Sequence, residues 1–379
     1  MRPAGRWQGV ADGVHSEGRS GSPRGRWLRM VALLGLLLVS PGALAEPLPI
    51  ATGAFTTVWA RTDRPVLEGT ARRTWMWGPA PFTAPMGEPY AESAGGMRLV
   101  QYFDKTRMEL NDPGADPRSP WYVTNGLLAK ELVTGLLQLG AEEFEAHPPA
   151  GIAIAGDADD PDAPTYATFS TLLEAAPLAL GQSIIHTVDR SGSVGQNAEL
   201  AAYGVTAGYF VPETRHTVAS VFWEFMNSAG LVFENGRHIE ARLFENPFYA
   251  TGLPLTEAYW TRLRVGGVRR WVLVQVFERR VLTYTPDNPE GWKVEAGNVG
   301  RHYYAWRYEQ VGVEPVSPPA GYQPPPDPAW QCDPAYPEVC IPSPPPDLSC
   351  AEVPYRGFRV LPPDPQRFDR DGDGVGCER

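Results

Sequence analysis

Leu99-Val-Gln-Tyr-Phe-Asp-Lys105 and Leu273-Val-Gln-Val-Phe-Glu-Arg279 carry one pattern twice, at an offset of 174 residues. Both are dominated by β-branched and aromatic residues, which suit a pleated strand. The matches continue outward in the same order. Upstream, Glu88-Pro-Tyr90 and Gly95-Gly96 parallel Glu257-Ala-Tyr259 and Gly266-Gly267; downstream, Trp121-Tyr-Val123 and Gly126 parallel Trp292-Lys-Val294 and Gly297. Ordered matches at nearly constant offset point to an internal duplication, with related halves over about 46–150 and 200–310. Each half reads as a β-hairpin followed by a helix. Val268–Phe277 and Arg280–Thr285 are the strands of the second hairpin, and Pro286-Asp-Asn-Pro289 supplies turn residues after it. In the first half Leu128, Leu132, Leu136 and Leu139 share a helical face, predicting a helix over 127–139 that Gly140 stops; Val299–Arg307 is its counterpart. Residues 216–229 also show helical spacing, behind Thr214 as a cap. The fold class expected for the body, residues 46–310, is α+β with antiparallel strands.

The composition narrows what such a body can do. The chain has 379 residues, 43% hydrophobic and 11% aromatic, enough for a real core at a length that favours two domains. With 33 Lys+Arg against 44 Asp+Glu, the net charge of −11 argues against a nucleic-acid backbone as main partner. Residues 1–45 read as a secretory signal. Arg24, Arg26 and Arg29 precede the apolar run Val31–Val39, and Ala43-Leu44-Ala45 forms a small-x-small cleavage site. An uncleaved anchor is the alternative, although a run this short falls below the roughly 20 residues needed to cross a bilayer. Removing the six arginines and two acids of this segment leaves 27 cations against 42 acids, or −15. The expectation is a secreted, acidic protein.

All four cysteines, Cys332, Cys340, Cys350 and Cys377, lie near the C-terminal end. In an exported chain this marks a disulfide-stapled small module. Four cysteines allow three pairings. The pairing Cys332–Cys340 with Cys350–Cys377 is favoured because its second bridge closes the loop discussed next. A zinc site is the weaker reading, since no C-x-x-C pair and no nearby His is present. Between body and tail, residues 311–349 hold 13 prolines and read as a semi-rigid polyproline spacer.

Asp369-Arg-Asp371-Gly-Asp373-Gly374-Val375 places carboxylates at loop positions 1, 3 and 5, a turn glycine at position 6 and the Val375 carbonyl at position 7. Hard oxygen donors in this number favour Ca²⁺ over Mg²⁺. A full EF-hand loop ends on a bidentate Glu at position 12, whereas this sequence runs only to Arg379 at position 11. The run D-x-D-x-D-G-x-x-C-E, with Cys350 upstream, closely resembles the excalibur domain, a short extracellular calcium-binding module with an EF-hand-like loop. The resemblance covers residues 350–379. It implies that Asp369, Asp371, Asp373 and Glu378 ligate calcium and that Cys350–Cys377 replaces the missing helix. The body, through Val274–Arg280 and Gly297–Tyr308, resembles uncharacterised secreted bacterial proteins, a likeness that brings no activity with it.

No H-E-x-x-H, G-x-S-x-G or Walker loop occurs in the sequence. His302, among Tyr303, Tyr304 and Trp306, reads as a packed aromatic neighbour rather than a base. Asp104 and Glu278 occupy matching points of the repeat and raise a glycosidase-like carboxylate pair, but the cations beside them favour structural ion pairs. Asp157, Asp159, Asp160 and Asp162 read as an exposed acidic loop, with a second metal site as the alternative. Trp75, Trp77, Tyr102, Trp121, Trp260, Trp271, Trp292 and Trp306 offer either core or a carbohydrate-stacking surface. The function expected is a secreted or cell-surface calcium-binding protein with a non-enzymatic recognition body, its partners calcium and cell-wall or extracellular carbohydrate. The alternative is an extracellular hydrolase of cell-wall glycans or nucleic acid.

Overall fold

The computed structural model describes residues 48–322, 333–339, 341, 344, 348–350, 353 and 355–378. The expected signal segment and the Cys332–Cys340 bridge lie outside these residues. The architecture is mixed α+β, mostly antiparallel sheet with short helices.

After helix α1 (Gly53–Leu67) comes a four-stranded meander: β1 (Met86–Pro89), β2 (Met97–Phe103), β3 (Thr106–Leu110) and β4 (Thr124–Asn125). Helix α2 (Leu128–Thr134) follows directly. The middle of the chain forms a ribbon β5 (Leu136–Gln138) with β6 (Phe144–Ala146), helix α3 (Tyr166–Phe169), and a hairpin β7 (His186–Val188) with β8 (Val194–Gln196). Next come a ribbon β9 (Ala207–Val211) with β10 (His216–Ala219), helix α4 (Ser220–Met226), and a ribbon β11 (Ala229–Glu234) with β12 (Arg237–Arg242). A second meander then runs through β13 (Tyr259–Val265), β14 (Val268–Val276), β15 (Val281–Tyr284) and β16 (Val294–Ala296) into helix α5 (Val299–Tyr304). β7 pairs in parallel with β13, extending this sheet to six strands.

The period-two alternation of the two signature strands explains how both sheets are buried. Val100 and Tyr102 of β2 share one core with Val274 and Val276 of β14, packed around α2, α3 and α5. The opposite face of β2, with Leu99 and Phe103, meets α1. The opposite face of β14, with Leu273 and Phe277, meets α4.

The two glutamines on these outer faces are fully buried and make matching hydrogen bonds. Gln101 Oε1 accepts from Ala51 N at 2.7 Å, while its Nε2 donates to Pro49 O at 2.8 Å and Thr83 O at 3.0 Å. Gln275 Oε1 accepts from Ala219 N at 3.1 Å, while its Nε2 donates to Thr217 O and Thr256 O, both at 2.9 Å. Each glutamine therefore ties a strand to the segment leading into a helix, α1 or α4. The helices after the meanders cross over reciprocally. Lys130 N donates to Glu278 O at 2.9 Å and Arg301 N to Asp104 O at 3.3 Å. Side chains repeat the exchange, with Lys130–Glu278 at 3.5 Å and Arg301–Asp104 at 2.6 Å. These pairs are half-exposed and contribute at most about 1 kcal/mol each.

Buried charge is concentrated beside β2 and β3. Glu88, Glu109, Arg98, Arg107 and Arg307 are all buried, joined at Arg107–Glu88 (2.9 Å), Arg107–Glu109 (2.5 Å) and Arg98–Glu109 (3.4 Å). Tyr102 and Tyr308 hydroxyls donate to Glu88 at 2.5 and 2.8 Å. Burial alone would raise the Glu88 carboxyl, but Arg107, Arg307 and Arg98 outweigh it and hold it at about 2. Glu131, also buried, is pushed up by desolvation and accepts the Tyr303 hydroxyl.

Several local expectations are corrected. The helix over 127–139 stops at Thr134, because Gly135 turns left-handed at φ +73° and the chain re-enters a strand at Leu136. A Cβ on Gly135 would sit 2.0 Å from His147 O, so the turn is packed shut against that segment. The stretch 216–229 begins as β10, since Thr217 O is held by Gln275, and the helix starts only at Ser220, with Ala219 rather than Thr214 as its cap. The helix after β16 is regular through Tyr304 and widens to a π-turn over Ala305–Gln310. Strand register pairs Met86 with Val100 and Tyr259 with Val274. Met86 thus corresponds to Tyr259, shifted by four residues from the Tyr90–Tyr259 alignment. Residues at both ends of the expected spacer, 311–349, make contacts with the body or the tail. Gly87 N donates to Val316 O at 3.0 Å, Tyr322 OH to Ala51 O at 2.9 Å, and Ala335, Tyr336 and Ile341 belong to the tail's core.

Gln275→Leu leaves Ala219 N–H and two carbonyls without their buried partner, an expected loss of about 2–4 kcal/mol. The urea midpoint of the full chain checks it; a loss below about 0.5 kcal/mol would show that the clamp does not hold the sheet. Glu88 makes stability pH-dependent with a definite sign. Its folded value of about 2 lies below the ordinary 4.5, so its contribution is complete above 4.5 and is lost as pH falls through 2. Thermal melts across that window should show a steeper acid decline for wild type than for Glu88→Gln.

Candidate metal centre and surface groove

The tail builds its loop on a small apolar core of Tyr336, Ile341, Val353, Phe358, Val360, Phe368 and Cys377. Two short strands, β17 (Phe358–Arg359) and β18 (Val375–Gly376), pair antiparallel across it. Cys350 and Cys377 form a disulfide closing 27 residues, a loop whose closure stabilises by ~3–4 kcal/mol in the chain-entropy account. Asp364, not singled out in the sequence, organises the approach. Its carboxylate accepts from Tyr336 OH at 2.8 Å, Phe368 N at 3.1 Å and Asp369 N at 3.0 Å. The signal for it was an acid five residues ahead of the loop, followed by proline.

The loop then coils around Asp369. Its Oδ1 accepts from Gly372 N at 2.8 Å and Asp373 N at 3.1 Å, and its Oδ2 from Gly374 N at 2.8 Å. Gly372 and Gly374 adopt φ of +76° and +88°, conformations costly for any residue with a Cβ. Carboxylate oxygens of Asp369, Asp371 and Asp373 come within 4.8 Å of one another, an arrangement that can hold a metal ion. Val375 and Glu378 line a hollow with Asp369 and Asp371 but not Asp373, and the Glu378 carboxylate is not part of that trio. The donor set of this trio is entirely carboxylate oxygen.

No known protein family, curated protein or solved structure matches the chain.

The other sequence candidates in the body find partners. Asp104 and Glu278 face Arg301 and Lys130 across the reciprocal contact, rather than the cations beside them in sequence. Asp157 accepts from Gly266 N and Gly267 N, both at 2.8 Å, and pairs with Arg264. Asp159 pairs with Arg264 at 2.5 Å, and Asp160, which is buried rather than exposed, with Arg269 at 2.9 Å. Asp162 also pairs with Arg269. This acidic loop clasps the β13–β14 hairpin, and the four carboxylates are not brought together as a metal cluster. His302 accepts or donates to the Tyr166 hydroxyl at 2.9 Å, and burial, with Lys105 nearby, depresses it to about 4. His216 sits buried between Glu257 at 3.1 Å and Leu173 O at 3.0 Å. Of the aromatic candidates, Trp77, Tyr102, Trp260 and Trp306 are core; Trp75, Trp271 and Trp292 are half-buried and Trp121 is exposed.

Trp271 opens onto a trough of about 670 Å³ at the outer end of β13–β14, walled by the β7–β8 hairpin. Thr187, Ser193, Gly195, Thr261, Arg262 and Arg269 share the lining. Arg262 stands opposite Trp271 in the strand register, with its guanidinium 5.9 Å from the indole centroid. Sequence reading missed Arg262, yet the turn could have found it. Gly266 and Gly267, at φ +58° and +79°, make the two-residue hairpin turn that fixes this register.

Peptide mapping without reduction should recover Cys350 joined to Cys377, and Cys350→Ser should speed proteolysis within 350–378 while leaving the body resistant. Equal cleavage of both proteins would mean that the bridge does not order the tail.

Proposed function

We propose that this chain is a secreted or cell-surface calcium-binding protein, with an excalibur-like tail and a body that serves recognition without catalysis. The observation that carries the reading is the convergence of Asp369, Asp371 and Asp373 within 4.8 Å on a loop held by Cys350–Cys377. In this reading the Val375 carbonyl and Glu378 complete the ligand set. The ion neutralises carboxylates that otherwise repel at short range, and its role is structural. The body extends recognition toward cell-wall or extracellular carbohydrate. Its two meanders, each ending in a short helix and each tied by a buried glutamine, are read as copies of one duplicated unit. Engagement of Asp104 and Glu278 in ion pairs weighs against their use as the acid and base of a hydrolase.

Calorimetric titration of the full chain, first stripped with chelator, should show one Ca²⁺ equivalent bound at the tail. Asp371→Asn is expected to weaken that binding by about tenfold or more, roughly 1.4 kcal/mol. Asp364→Ala, which touches no ion, should also weaken it by loosening Asp369. An Asp371→Asn titration indistinguishable from wild type would remove the site.

A further inference from the structure

We propose that the trough between the β7–β8 hairpin and the outer end of β13–β14 binds a neutral oligosaccharide, with the Trp271 indole as stacking platform. The inference rests on the reading of the body as a recognition module and assigns that role a place and a ligand chemistry.

The two meanders differ at one matching position. In β1–β2 the cross-strand pair at this position is Pro89–Met97; in β13–β14 it is Arg262–Trp271. The neighbouring strand differs as well. At the first meander the edge is covered near Gly87 by the backbone of Val316 and Ser317, so close that a Cβ on Gly87 would lie 2.5 Å from Ser317 O. At the second, β7 pairs with β13 through Thr187–Trp260, and β8 rises beside it. The first meander thus carries a plain Pro–Met pair where the second carries an Arg–Trp pair beside a trough. The indole packs partly on the core beneath α4 and lends the rest of its surface to the trough.

The carboxylates that line the trough already have partners. Asp162 is already matched by Arg269. Asp189 accepts from Ser191 N at 2.8 Å, Ser191 Oγ at 2.6 Å and Ser193 N at 3.1 Å within its own turn. Among the described residues no carboxylate pairs with Arg262. The site therefore presents guanidinium donors, carboxylates already paired or hydrogen-bonded, and the side chains of Thr187 and Ser193 around one aromatic surface. A sugar needs that combination. Its hydroxyls both donate and accept, and its C–H face lies on an aromatic ring. An anion would meet Asp162 and Asp189 as well as Arg262, and a purely apolar ligand would strip water from groups it could not replace. The open form suits a segment of a longer chain, and the volume falls within the usual range of ligand clefts.

The test titrates the full chain with chitotetraose and with cellotetraose, following tryptophan fluorescence and heat, and measures retention on isolated cell-wall sacculi in parallel. Binding of either tetrasaccharide is expected, weakened about five- to tenfold by Trp271→Phe or Arg262→Ala and abolished by Ser193→Trp, which fills the trough from an exposed hairpin position. Unchanged melting temperatures in the variants separate loss of ligand from loss of fold. Tetrasaccharide binding that ignores all three substitutions overturns the trough and leaves recognition standing. Retention on sacculi with no tetrasaccharide binding does the same. Loss of both overturns the trough and the recognition reading together.

Discussion

A buried primary amide is a demanding group. It offers two donors and an acceptor with two lone pairs, and in a core each must be met or its desolvation goes uncompensated. Gln101 and Gln275 satisfy this demand in one way. A carbonyl and an N–H two residues apart on an incoming segment take one edge, and the carbonyl of Thr83 or Thr256 takes another. Three stretches of chain are fixed by one side chain. The incoming segment enters α1 in one half and α4 in the other, so the clamp also decides where the outer helix begins and which sheet face it covers. Replacement by a hydrocarbon of similar size would fill the space but orphan the backbone groups, which is why the position selects glutamine rather than leucine in an otherwise apolar strand.

The strands after Val268 and Arg280 and the acidic spacing of the tail were legible because each depends on near neighbours in sequence. Runs of β-branched and aromatic residues and carboxylates at every second position are local devices. What was not legible depends on distant partners. The leucine period from 128 to 139 continues smoothly through Gly135 on paper, but His147 O closes against that glycine and forces the left-handed turn. Val218, Val221, Phe222 and Phe225 have helical spacing, yet the first part of that run is drawn into β10 and held by Gln275 from 58 residues away. Arg98, Arg107 and Glu109 lie on strands whose charged residues ordinarily face water, and only Glu88, Arg307 and the tyrosines around them reveal an interior network. The acid run at 157–162 reads as an exposed loop because its arginine partners lie about a hundred residues downstream.

The tail obeys different physics from the body. Its apolar core is small, so the disulfide and Asp364 do much of the ordering that bulk burial does elsewhere. Asp364 caps the turn into the loop from one side, while Asp369 gathers the loop's own N–H groups from the other. The backbone hydrogen bonds at Asp369 leave its carboxylate oriented toward Asp371 and Asp373 at no further cost in side-chain freedom. Such preorganisation suits a loop that can hold a metal ion.

The two meanders also show why likeness of scaffold does not imply likeness of surface. Their shared features, the glutamine clamps and the reciprocal helix contacts, lie inside or across the body and are constrained by packing. Their differences lie where the constraint ends. The strand edge at Gly87 is closed by a backbone approach that tolerates no side chain, which leaves no room for chemistry there. The edge at Trp260 is extended by β7 and β8; Val188 anchors the hairpin in the core and Asp189 holds its turn, so the hairpin can wall a trough. A surface that owes only part of itself to the core can carry an arginine and a tryptophan across from each other, and that partial freedom is what distinguishes the second meander from the first.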